Sequence, residues 1–110
     1  MKNVLYSVTA TLPIAEVDGY LAWLDNHINE LLRAGALEAS VIVYPPCAQT
    51  QQVKTQYTFA DRSSFDSYEE IHAPRLREEG RQLFGSKPGV TFARRLGEIR
   101  WRRDARADKP

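Results

Sequence analysis

The chain has 110 residues, 43% of them hydrophobic and 26% charged, and a formal net charge of +1. That length and balance fit one globular domain able to bury roughly two-thirds of its unfolded surface without disulfides or a structural metal. So weak a net field excludes nucleic acid or an anionic membrane as a default partner, and no segment approaches the ~20 apolar residues of a membrane span.

Cys47 is the single cysteine, so no intramolecular disulfide can form. The opening residues lack the apolar run of a signal peptide, and a reducing, cytoplasmic setting is expected. Cys47 follows Pro45-Pro46 with no Cys or His at ligand spacing, so no neighbour is in view to activate the thiol.

Val4, Tyr6, Val8 and Ala10 alternate with Leu5, Ser7 and Thr9, which predicts a first strand closing at Thr11 or Leu12. Pro13 suits a first helical position, where no backbone N–H is needed. Ile14, Val17, Leu21, Leu24, Ile28 and Leu31 then recur three and four apart, predicting a helix from about Pro13 to Ala34 that Gly35 stops. Tyr20 and His27 lie along one edge of its apolar stripe, with Trp23 beyond them.

Ala39, Val41 and Val43 alternate with Ser40, Ile42 and Tyr44 as a second strand. After the loop 45–50, Val53, Thr55, Tyr57 and Phe59 alternate with Lys54, Gln56 and Thr58, so the second and third strands read as a hairpin with a long turn. Asp61 or Ser63 can cap the next helix, whose stripe is Phe65, Tyr68, His72, Leu76 and Leu83, ending near Phe84-Gly85. Pro74 removes a backbone donor inside this helix, so a kink or break is expected there. Val90, Phe92, Arg94 and Leu96 mark a fourth strand. Residues 101–110, with Trp101, Arg102, Arg103 and Arg106 diluted by Asp104 and Asp108, read as a charged tail beyond a domain over residues 1–100.

The order βαββαβ predicts an α+β, ferredoxin-like fold: a four-stranded antiparallel sheet, strands one and three central, both helices on one face. The opposite face is semi-polar, fit either for solvent or for a second copy of the chain.

Tyr20-Leu21-Ala22-Trp23-Leu24-Asp25-Asn26-His27-Ile28, Gln56-Tyr57, His72-Ala73-Pro74-Arg75-Leu76-Arg77, Leu83-Phe84-Gly85 and Arg94-Arg95-Leu96 form a series of blocks. In this order they resemble bacterial domain-of-unknown-function family 4286. The chain departs from that pattern at Arg33-Ala34-Gly35-Ala36-Leu37, where relatives tend to carry proline before the glycine and an aromatic residue after it. The resemblance implies a dimeric α+β barrel, two ferredoxin-like protomers joined through their sheets, and no established activity.

The stripe position of His72 predicts an imidazole aimed at the sheet, either as a neutral core histidine or as a general base, which makes it the candidate catalytic residue. His27 can converge on it from the neighbouring helix. Two histidines are not a metal site; Glu30 and Glu79 are the only extra oxygen ligands at suitable spacing, and neither a metal nor a cofactor is expected. Arg75 and Arg77 pair at helical spacing with Glu69, Glu70, Glu78 and Glu79. Arg94 and Arg95 point to opposite faces of the fourth strand, so one must point inward and need an anion. Tyr6 and Tyr57 can present hydroxyls to the same space.

The expected ligand-binding set is Trp23, His27, Tyr57, His72, Arg75 and Arg95. It fits a homodimer holding a small molecule between helices and sheet. A cofactor-independent monooxygenase or isomerase acting on an aromatic or polyketide-like small molecule is the second reading, and an interaction module using the edge of strand two is the third.

Overall fold

A computed structural model describes residues 2–105. Strand β1 (Val4–Pro13) leads through a single 3-10 turn (Ile14–Glu16) into helix α1 (Val17–Arg33). Strands β2 (Glu38–Val43) and β3 (Thr50–Phe59) form the hairpin. Helices α2 (Arg62–Ile71) and α3 (Ala73–Gly80) follow, then a π-helical turn (Arg81–Gly85) and strand β4 (Thr91–Glu98). The sheet is antiparallel in the order β2-β3-β1-β4, the expected ferredoxin-like topology with β1 and β3 central.

Local chemistry explains most element boundaries. Pro13 closes β1 instead of opening the helix, and the Ile14 amide is tied to the Gln49 carbonyl, so Ile14 falls off the buried stripe. At the far end of α1 the Ala36 amide reaches the Leu31 carbonyl and the Gly35 amide the Leu32 carbonyl, a Schellman closure. Gly35 takes φ +123° there, a value side-chain-bearing residues avoid. Asp61 caps α2 by accepting a 2.8 Å hydrogen bond from the Ser64 amide.

The expected second helix is broken. His72 sits between α2 and α3 with φ −110°, and Pro74 occupies the first turn of α3, where its missing N–H costs least. Beyond Gly80 the chain widens into the π-helical turn, which winds more slowly than an α-helix. Both changes shift the buried face. Ala73 is buried in place of His72, and Phe84 in place of Leu83, which is 48% exposed. The expectation that His72 lies at the centre of a stripe facing the sheet is therefore corrected: it is a half-buried junction residue.

Two apolar clusters fill the space between helices and sheet. One gathers Tyr6, Leu31, Tyr57, Phe59, Phe65, Tyr68 and Leu76; the other Ala10, Leu12, Tyr20, Leu24, Val53 and Phe84. Between them runs the cross-strand row Val41–Thr55–Val8–Arg94. Its three short side chains, Val41, Thr55 and Val8, do not fill the layer spacing that the flanking tyrosines and phenylalanines set.

On the outer face, Ser7, Thr9, Lys54, Gln56, Ser40 and Arg95 confirm the semi-polar character. Beyond β4 the Ile99 amide bonds to the Asn3 carbonyl, and the chain crosses this face until Arg102 borders a hollow beside Glu38 and Ser40 of the opposite edge strand. Residues 101–105 carry no regular structure and are exposed; Met1 and the rest of the expected tail, including Arg106 and Asp108, lie outside the described residues. Among the described residues no helix is long and apolar enough to cross a membrane.

Candidate functional site

The row Thr55–Val8–Arg94 is the floor of a cavity of about 230 Å³ between the helices and the sheet. Its walls are aromatic: Tyr6 and Tyr57 on one side, Tyr20 and Phe92 on the other, Trp23 and Tyr68 from the helices. Trp23 is placed by α3, because Gly80 leaves room for the indole; a Cβ at Gly80 would stand 3.2 Å from the Trp23 ring. The indole N–H donates to Glu79 Oε1 at 3.3 Å, and its ring stacks on His27 with centroids 4.4 Å apart.

Three buried polar atoms on these walls have no hydrogen-bond partner: His27 Nδ1, Thr55 Oγ1 and Arg77 Nε. Buried polar groups are almost always paired, with protein or with ordered water, so these three residues are places where a water or a ligand group would find a partner. Thr55 is fully buried on β3, between Val41 and Val8. The Arg77 guanidinium donates to Tyr6 Oη at 3.1 Å and to Glu69. Burial works against its charge, but these hydrogen bonds outweigh that and raise its pKa above the ordinary arginine value.

Burial pushes the Tyr20 hydroxyl up to about 12 and raises Tyr57 and Tyr68 as well, so all three stay neutral. Burial likewise lowers His27, against the opposing pull of Glu79 and Glu30. A histidine depressed from 6.5 binds fewer protons folded than unfolded, so it favours unfolding as pH falls below 6.5. Stability should accordingly rise with pH through the window just below 6.5, and His27→Gln should flatten that rise in chemical denaturation series. An unchanged slope would show that His27 titrates normally.

Of the expected set, the fold brings Trp23, His27 and Tyr57 to the cavity wall. It does not bring His72, Arg75 or Arg95 there. His72 is set aside by the helix break. Arg75 is on the outside of α3, bonded to Glu30 at 2.8 Å. Arg95 pairs with Ser7 on the outer face, whereas Arg94 pairs with Val8 and faces the helices, so the inward arginine of β4 is Arg94. Phe92 and Leu96 share that side of the strand, which was the available signal. Arg77 and Thr55 were not singled out as site residues, since one looked like a surface ion-pair residue and the other like strand filler. No group of three or more potential metal ligands occurs among the described residues.

The family model for "Domain of unknown function (DUF4286)" matches residues 3–99. No curated protein matches the chain in sequence. Among solved structures, a dimeric ferredoxin-like protein from an uncultured marine organism is similar at 15% identity and TM-score 0.68, covering 93% of this chain and 99% of its own. A second such dimeric protein, also from an uncultured marine organism, gives 11% identity and TM-score 0.68, with 93% and 98% coverage. SnoaB, a cofactor-independent oxygenase from Streptomyces nogalater, gives 10% identity and TM-score 0.63, with 93% and 97% coverage. At such identities the likeness is one of fold.

Proposed function

Because the chain belongs to the DUF4286 family, whose description assigns no activity, we propose its function from the cavity: it binds a small, flat, ring-containing molecule between helices and sheet, as a cytoplasmic homodimer. The observation that carries this is the aromatic-walled space itself, whose lining includes three residues that each hold a buried, unpartnered polar atom: His27, Thr55 and Arg77. Aromatic walls favour a flat ring, and the polar atoms fix its orientation. The dimer rests on the semi-polar outer face and on the dimeric state of two structural neighbours.

Titration of Trp23 emission with 2-naphthol, in a Trp101→Phe background, tests the binding. Val8→Phe extends a ring from the cavity floor and should weaken binding at least tenfold without lowering the melting temperature. Light scattering on both proteins should give twice the 12.5 kDa chain mass. Equal affinity in the variant would place the ligand elsewhere, and a monomer mass would remove the dimer.

A second reading has its own observation. His27 lines the cavity, burial lowers its pKa toward the neutral form, and its Nδ1 has no partner, which suits a base that deprotonates a bound ring hydroxyl, as a cofactor-independent oxygenase requires. His72, the residue expected in that role, lines no part of the cavity. Oxygen consumption by the naphthol complex that disappears in His27→Gln supports this reading; none in the wild type removes it.

A further inference from the structure

We infer that the ligand is a singly charged anion, an aromatic acid of one or two rings whose carboxylate pairs with Arg94. This deepens the binding reading above and rests on it.

The cavity lining includes three arginines, Arg77, Arg81 and Arg94, and no aspartate or glutamate. Arg77 is paired with Glu69, and Arg81 with Glu78. Arg94 has no carboxylate partner among the described residues; its guanidinium lies over the Phe92 ring at 5.8 Å from the centroid. Glu79 sits near the mouth but is engaged by the Trp23 N–H and by Arg75 at 3.9 Å. With the tyrosines and His27 neutral, one positive charge remains uncompensated at the wall. Arg94 is an exposed residue on the edge strand, so it stands at the open side of the apolar-walled space, where its planar fork can hold a carboxylate through two parallel hydrogen bonds.

Arg94 and Thr55 flank Val8 in one cross-strand row. Neighbouring strands stand about 4.8 Å apart, so the two residues lie about 10 Å apart across the floor. A two-ring acid lying across Val8 is about as long as this backbone spacing, with its carboxylate at Arg94 and its far edge toward β3. The cavity of about 230 Å³ is half again the roughly 150 Å³ that accommodates benzene. A single unpaired arginine with apolar walls does not suit a phosphate, whose higher charge calls for several donors.

The discriminating pair is 2-naphthoate against 2-naphthamide, which share a shape and differ in charge. Calorimetric titration should show the acid binding at least tenfold more tightly. Arg94→Gln should bring the two affinities together, while Arg95→Gln, one residue along on the opposite face, should leave the ratio unchanged. Thermal unfolding checks that both variants are folded. If acid and amide bind alike to the wild type, the anion inference falls while the cavity reading stands. A preference that survives in Arg94→Gln also overturns it. If neither compound nor 2-naphthol binds, the cavity reading itself fails and takes the inference with it.

Discussion

Phe59→Ala should lower the free energy of unfolding by about 3–5 kcal/mol, the usual cost of emptying a phenylalanine site in a packed core. Phe59 is fully buried at the end of β3, with the Phe65 and Tyr68 rings each 5.5 Å away by centroid. Those two residues are the buried anchors of α2. Losing the ring therefore removes apolar contact and loosens the helix whose position sets the upper wall of the cavity. Collapse of α2 into the gap is resisted because Asp61 fixes its start. Denaturant unfolding at one fixed protein concentration measures the effect, since dimerisation makes apparent stability depend on concentration. A loss below about 1 kcal/mol would mean that the site collapses freely.

Thr55→Val should act in the opposite direction, adding about 1 kcal/mol of stability, because it removes a buried hydroxyl that has no partner and leaves the shape intact. Valine is also β-branched and suits a central strand. The same change should weaken binding of the cavity ligand severalfold if Thr55, a lining residue, turns its unpartnered Oγ1 to the ligand on binding. Stability gained together with affinity lost is the signature of a group kept for a ligand. If stability falls instead, Oγ1 is already satisfied in the free protein and the case for a polar ligand contact at Thr55 fails.

Much of the framework was legible in the residues. Alternation in β1, β2, β3 and β4 and the stripe of α1 located every strand and the first helix, because each buries one face against a single layer. Family blocks around Trp23-Leu24 and His72-Ala73-Pro74 pointed to the right family. Site residues on α1 were also legible: Trp23 and His27 lie at the edge of a regular stripe, and a regular helix keeps its phase. The segment after Phe59 behaved differently. Its phase depends on the break at His72 and on the π-helical turn, each of which rotates the following residues, and Pro74 signalled the first while nothing signalled the second.

What the sequence by itself determined is thus the order of elements, the ferredoxin-like class and the apolar faces, all properties of local period and short connection. Only the tertiary structure decided that Arg77 reaches Tyr6, that His72 is set aside, and that Thr55, Val8 and Arg94 lie in one row. Each of these depends on strand register or helix phase. Register is fixed by pairing across the sheet, and phase by distant breaks, so neither can be read from a residue's own neighbours in the chain.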